Sequence, residues 1–230
     1  MPIDELIAVF DKERDRYIEW HDGPRLDEVD AAMASLSPEE RAAASRIVAE
    51  RIGKGYDPYL GRAAELLGTG ECRKALDDAL GSARDSHSAG NMARNILTLG
   101  GSDSAVEALK AIIGNRALHW SARIDALVNL KIAMGAAEGR PVTEFITPEF
   151  EAILFEAAAD GEYLVRYHAA EALLRMAGGT GELSDDKELF GLVCGKHAVD
   201  GTPDVADREG FRRAVEILQE RMGRARRGGG

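Results

Sequence analysis

Cysteine and aromatic residues are scarce in this sequence. Its 230 residues include two cysteines, and phenylalanine, tryptophan and tyrosine together make up 6%. Cys72 and Cys194 lie far apart and neither belongs to a CxxC pattern. We therefore expect two reduced, buried thiols in a cytoplasmic protein, rather than a disulfide or a metal-binding pair.

Long apolar runs are also absent. No stretch approaches the roughly 20 apolar residues that a membrane-spanning helix needs. The first sixteen residues, MPIDELIAVFDKERDR, are acidic and amphipathic, so they do not have the pattern of a signal peptide. The sequence therefore predicts no membrane association.

The motifs of common catalytic and metal sites are missing as well. No GxSxG, phosphate-binding loop or GxGxxG motif occurs. The histidines show no HxH, HExxH or His/Cys spacing of a metal site; they are His21, His87, His119, His168 and His197. We expect no metal and no cofactor, and the sequence favours a non-enzymatic role.

Basic residues are outnumbered. The chain has 40 acidic against 29 basic side chains, a net charge of -11. This balance disfavours a nucleic-acid-binding protein, whose contact surface is usually basic. It suits a protein partner with a basic surface.

What the chain has in abundance is helical periodicity. In the clearest case, residues 163–178, apolar side chains follow one face of a helix, and residues 150–160 form a preceding helix. Glycines that we expect to end helices recur about every 32 to 45 residues, at Gly68, Gly100, Gly135, Gly178 and Gly223. Such a period indicates stacked helix pairs.

The clearest pair resembles a HEAT repeat, in the degenerate bacterial HEAT-like form. The residues that carry the resemblance are Ile153, Leu154, Asp160, Val165-Arg166, Ala169-Ala170 and Ala172-Leu173. The resemblance implies an all-α fold, a right-handed α-solenoid of about five HEAT-like helix pairs. We expect residues 1–36 to be capping helices, the first over residues 2–21, then the solenoid over 37–223 and a disordered tail over 224–230.

In HEAT-like stacks the second helices line the concave side. The polar residues that this alignment places there are Arg62, Glu65, Asn91, Arg94, Asn95, Asp125, Asn129, His168, Glu171, Arg175, Arg212 and Glu216. We predict that they form a mixed-charge groove for a protein partner, with a merely solvated surface as the alternative. A concrete version is an immunity or inhibitor protein that neutralises a basic toxin domain.

Two other functions stay open. HEAT-like DNA glycosylases that remove alkylated bases use an Asp with nearby Trp and Arg, and Asp125, Trp120 and Arg166 are the candidates here. The structural alternative is that Trp120 fills a wedge between repeats, that Asp125 is solvated, and that Arg166 pairs with Asp160 across the turn. The third possibility is a scaffold subunit of a larger assembly.

Overall fold

The fold is all-α, as predicted. The computed structural model describes residues 2–12, 24–136, 146–178, 182–195 and 207–228, and this part of the chain contains helices and no strand. The α-helices are α1 Pro2–Asp11, α2 Asp27–Ala34, α3 Pro38–Lys54, α4 Pro58–Leu67, α5 Gly70–Leu80, α6 Ser86–Thr98, α7 Asp103–Gly114, α8 Trp120–Ala136, α9 Pro148–Ala157, α10 Tyr163–Met176, α11 Lys187–Cys194 and α12 Arg208–Gly228. A short 3₁₀ helix, Leu183–Asp185, precedes α11. In the described ranges, none of these helices is long and apolar enough to cross a membrane.

The chain divides into two compact units, unit 1 over Met1–Ala105 and unit 2 over Val106–Gly230. In unit 1 each helix packs on its chain neighbour and on the helix after that. The pairs α1–α2, α3–α4 and α5–α6 pack together, and α3 packs extensively on α5 while α4 packs on both α2 and α6. The helices expected to cap the repeats, α1 and α2, therefore belong to the same packed unit as the first hairpins.

Unit 2 has the same packing pattern around α10. This helix packs on α9, its partner in the hairpin, and on α8 and α12, the second helices before and after it. It also contacts α11, which packs in turn on α12. Buried alanines at positions 169, 170 and 172, each 0% exposed, line α10 where its neighbours approach. The small side chains let several helices pack against this one.

Local capping signals place several helix starts. Ser37 and Glu40 form a capping box at the start of α3, with Pro38 in the first turn. Asp57 caps α4 and Thr147 caps α9, each followed by a proline. Gly68 ends α4 at a φ of 66°, a left-handed conformation that costs glycine no steric strain.

Other predicted boundaries are wrong. Gly223 lies inside α12 rather than at its end, whereas α8 ends at Ala136, one residue after the predicted Gly135. The predicted tail from Arg224 onwards is helical as far as Gly228, and only residues 229–230 of it lie outside the described part. The first helix ends at Asp11, and residues 13–23, the rest of the predicted helix with His21, are outside the described ranges. Residues 137–145 and residues 196–206, which include His197, are likewise not described.

Each unit has a buried apolar core that contains one cysteine. Cys72 on α5 is 0% exposed and Cys194 at the end of α11 is 2% exposed, and both are free thiols. The expectation of buried, reduced cysteines is confirmed for both.

Gly61 of α4 lies in close contact with the side chains of Tyr56 and Asn95. A Cβ atom at this position would lie 2.6 Å from Asn95 Oδ1 and 2.7 Å from Tyr56 Oη. Both atoms are held, because Tyr56 donates a hydrogen bond of 2.8 Å to the fully buried Asn95. The absence of a side chain at position 61 therefore sets the spacing between α4 and α6.

We predict that Gly61→Ala destabilises the protein by about 1–3 kcal/mol, because the added methyl group overpacks this contact. Gly53→Ala, in α3, is the matched control. Its Cβ would meet nothing within 4 Å, so it should stabilise by about 0.5 kcal/mol through helix propensity. Urea denaturation of both variants checks this, and a Gly61→Ala variant as stable as Gly53→Ala would contradict it.

Candidate functional site

A ladder of charged side chains crosses three helices of unit 1, α2, α4 and α6. Arg62 contacts both carboxylate oxygens of Asp30, at 2.7 and 2.9 Å. It also lies 3.5 Å from Glu65, which lies 3.6 Å from Arg94. We call Asp30, Arg62, Glu65 and Arg94 the charged ladder. The hydrogen bond from Arg62 lowers the pKa of Asp30, so the contact is strongest while that carboxylate is ionised.

Three predicted groove residues thus pair with one another and do not simply extend into solvent: Arg62, Glu65 and Arg94. The amide of a fourth, Asn95, donates to Glu65 at 2.6 Å. Asn95 also accepts from Tyr56, whose pKa burial raises. Asn91 is half-buried and lies 3.1 Å from the exposed His87. Asp30, the residue that completes the ladder, is half-buried and is not among the predicted groove residues.

In unit 2, the turn between α9 and α10 is held by two arginines. The Asp160 carboxylate pairs with Arg123 of α8 at 2.9 Å, and both side chains are nearly buried, 11% and 6% exposed. Arg123 Nε also donates to the Ile113 carbonyl at 2.9 Å. Asp160 Oδ1 accepts from the Glu162 backbone at 2.9 Å. The ion pair of this turn therefore joins successive helix pairs.

Arg166 reaches the same turn through main-chain carbonyl groups, and this corrects its predicted pairing with Asp160. Its Nη1 atom donates to the carbonyl oxygens of Asp160 and Gly161, at 2.8 and 3.0 Å. Its Nε atom donates to the Val193 carbonyl at 2.8 Å, and its guanidinium lies 3.6 Å from the centre of the Phe211 ring. Arg166 is 0% exposed, so it cannot supply a cation to a substrate at the surface.

A second polar group lies between α8 and α10. Lys131 Nζ donates to Glu171 and lies 2.9 Å from His168 Nδ1. Tyr167 also hydrogen-bonds Glu171, and burial together with this bond raises the pKa of Tyr167 to about 12. We call Lys131, Tyr167, His168 and Glu171 the Lys131 cluster. Glu171 is 4% exposed; burial works to raise its pKa, but hydrogen bonds from Lys131 and Tyr167 keep it below its ordinary value.

The remaining residues of the predicted groove differ in how exposed their side chains are. Arg175 donates to the Lys131 carbonyl at 3.3 Å, and Asn129 is buried. Asp125 is partly buried, whereas Arg212 and Glu216 on α12 are exposed. Among the described residues of the predicted groove, the buried or paired positions outnumber the open ones.

The outward side of α8 carries an apolar ridge that the sequence analysis did not identify. Trp120, Ile124, Val128 and Ile132 are four residues apart and follow one row along the helix. Trp120 is 43% and Ile132 is 45% exposed, and they are the large apolar side chains exposed in the described part of the chain. Ile124 and Val128 are partly exposed between them. We call these four residues the α8 ridge.

The exposure of Trp120 contradicts its expected role as a wedge between repeats. Its ring contacts the neighbouring His119 ring, with centroids 4.9 Å apart. The sequence does contain the i, i+4 spacing of the apolar residues in the α8 ridge. The same spacing is typical of a buried helix face, so it does not by itself predict that the row is exposed.

The described ranges contain no group of three or more His, Cys, Asp or Glu side chains that could hold a metal ion. Searches against protein-family models, curated proteins and solved structures find no match to this chain. The arrangement of the site itself must therefore support any functional conclusion.

We predict that Arg123→Met lowers the free energy of unfolding by about 3 kcal/mol, because it leaves the nearly buried Asp160 carboxylate without its cation. Adding Asp160→Asn should recover part of the loss. The control is Lys74→Met, which breaks an exposed pair with Asp78 and should cost less than about 0.5 kcal/mol. Chemical denaturation measures all four proteins, and equal losses for the two single methionine variants would refute the role of this pair.

We predict that acid weakens the α8–α10 contact through His168. Burial and the Lys131 ammonium hold the pKa of His168 below its ordinary value of 6.5, so the folded state favours the neutral ring. This stability is present above the unfolded-state pKa and is lost as pH falls through the lower folded-state pKa.

The test compares urea midpoints at pH 7.5 and 5.5. The wild-type protein should lose more stability between these pH values than His168→Gln does. His119→Gln, at an exposed ring, is the control and should behave like the wild type. An identical acid loss in His168→Gln and in the wild-type protein would show that another group is responsible.

Proposed function

We propose that this chain is a non-enzymatic protein-binding module whose contact surface is centred on the α8 ridge. The observation that carries the proposal is the exposure of Trp120 and Ile132 on one helix face. Exposed apolar rows with an aromatic anchor are typical of protein interfaces. The partly exposed Ile124 and Val128 connect the two side chains into one surface.

We infer in addition that the helix pairs form a right-handed, HEAT-like α-solenoid of about five units preceded by capping helices. What supports this is the packing of each helix on its neighbour and on the helix after that, within each unit. The Arg123–Asp160 pair supports it too, since it joins two successive hairpins. We propose a cytoplasmic location for the module, because its cysteines are free.

The partner we propose has a basic surface. Unit 1 contains 20 acidic against 13 basic residues, and unit 2 contains 20 against 16. An acidic module attracts a basic partner and speeds their encounter. An immunity or inhibitor protein against a basic toxin domain fits this chemistry, and so does a scaffold subunit that binds a basic neighbour.

A glycosylase is the second candidate, and the exposed Trp120 favours it because a stacking residue has to be accessible. The burial of Arg166 removes the cation expected beside it. Release of alkylated base from duplex DNA, lost in Asp125→Asn, would establish this activity in place of the binding function.

The test of the binding function is comparative capture of partners from the native source. Wild-type protein and the variant Trp120→Ala/Ile132→Ala are immobilised side by side, and we expect the variant to lose the captured basic protein. Lys74→Ala/Asp78→Ala, on the exposed surface of α5, is the matched control and should retain it. Circular dichroism confirms that each variant folds. Equal capture by the two double variants would contradict the proposal.

A further inference from the structure

We propose that unit 1 contains a binding site for a small molecule with an apolar body and one carboxylate group. The site is a cavity between the α3–α4 turn and the α5–α6 turn. It uses no residue of the α8 ridge, which belongs to unit 2, so it is independent of the proposed protein-binding surface. The volume of the cavity, its buried apolar lining and its charges support this ligand class.

The volume of the cavity suits a small organic molecule. It measures about 490 Å³ and is lined by residues 52–56, 78–79, 82–85, 88 and 92. Small-molecule sites typically enclose about 300–1,000 Å³. A Cβ atom added at Gly53 or Gly55 would meet nothing within 4 Å, so no side chain of the protein fills the space beside this end of α3.

The buried part of the lining is apolar. Ile52 and Met92 both line the cavity, and they are 1% and 2% exposed. Ala79 and Ala83 line it as well and are partly exposed. Transfer of an apolar group from water onto such side chains is favourable. The ligand should therefore carry an apolar body.

The acidic groups of the lining are already bonded. Asp78 pairs with Lys74 at 2.6 Å. Asp85 caps α6 by accepting a hydrogen bond of 2.8 Å from the Ser88 main-chain N–H. A cationic ligand would have to compete for these carboxylates, so the cavity does not favour one.

The basic groups of the lining, in contrast, are available. Among the described residues, no carboxylate lies within ion-pair distance of Arg84, an exposed residue of the lining. Lys54 pairs with Glu50, but these side chains are 72% and 68% exposed, so this pair contributes little. A guanidinium binds a carboxylate through two parallel hydrogen bonds. Arg84 therefore favours a ligand with a carboxylate.

The main chain around the cavity is compatible with an anion. At the end of α5, the carbonyl groups of Ala79 and Leu80 accept hydrogen bonds from the Ser82 and Ala83 amides. The start of α6 contributes the positive end of its helix dipole. A carboxylate near Arg84 and the start of α6 would be stabilised by both.

Other ligand classes fit less well. The described residues contain no group of three or more side chains that could hold a metal ion. A sugar would place hydroxyl groups against Ile52 and Met92 without hydrogen-bond partners. A ligand with several phosphates would bring many negative charges to a chain whose net charge is -11.

The test uses two probes of similar size, naphthoate and naphthylmethylamine, which carry a carboxylate and an ammonium group on the same apolar body. Each is titrated into isotope-labelled full-length protein while NMR follows the main-chain amides of Gly53, Gly55 and Ser88. We expect naphthoate to shift these three signals to saturation and the amine to leave them unchanged. Acetate, which lacks the apolar body, should bind more weakly than naphthoate by roughly tenfold or more.

Two variants test the role of the free cation. Arg84→Gln should weaken naphthoate binding by roughly tenfold, because it removes charge-assisted hydrogen bonds to the carboxylate. Arg46→Gln removes the same charge at an exposed position of α3 outside the cavity, and it should leave the affinity within about twofold. Circular dichroism confirms that both variants fold.

Several outcomes would overturn the inference. The absence of any shift at the three amides with naphthoate would show that the cavity is not a binding site. Equal binding of naphthoate and the amine would remove the selection by charge, and equal binding of acetate would remove the role of the apolar lining. Equal weakening by the two glutamine variants would indicate general electrostatic attraction. Shifts confined to α8 would assign the probe to the α8 ridge.

Discussion

The arrangement of unit 2 depends on one buried guanidinium. Arg166 is completely enclosed, and an enclosed charge is tolerated only where its donors are satisfied. It meets this condition by donating to the Asp160, Gly161 and Val193 carbonyls, and its guanidinium lies 3.6 Å from the centre of the Phe211 ring. These contacts come from the α9–α10 turn, from α11 and from α12, so helices that are distant in sequence must be in place before the charge can be buried. The Arg166 side chain therefore couples the formation of the last hairpin to that of the one before it.

Paired charges between neighbouring helices have a second effect, which concerns recognition. The charged ladder in unit 1 and the Lys131 cluster in unit 2 use five of the twelve polar residues that the repeat pattern assigns to a binding groove. A partner that competed for them would have to replace short, partly buried contacts, and replacing these is costly. An exposed apolar row has no such bonds to give up. The α8 ridge is therefore a better candidate for a contact surface than the polar residues of the repeat pattern.

The sequence predicts the features whose causes are local. The capping box at Ser37 and the start of α4 at Asp57-Pro58 depend on residues at most three apart in sequence, so the sequence is sufficient to place both, and both occur in the structure. Gly223 is predicted to end a helix because of its residue type, but it lies within α12, since glycine also occurs inside helices that packing stabilises. The partner of Asp160 could not be predicted, because Arg123 is 37 residues away in sequence and the choice between it and Arg166 depends on three-dimensional packing. The exposure of Trp120 and Ile132 has the same origin, since the spacing of apolar residues on α8 is equally typical of a buried face.

The two buried thiols allow the opening of each unit to be followed independently. Cys72 lies in the core of unit 1 and Cys194 in the core of unit 2, and a thiol reacts with a reagent in solution only when transient opening admits that reagent. The rate at which each cysteine is labelled therefore reports the local opening equilibrium of its own half of the chain. Because the two cysteines lie in different peptides after proteolysis, mass spectrometry separates the two rates without any engineered probe.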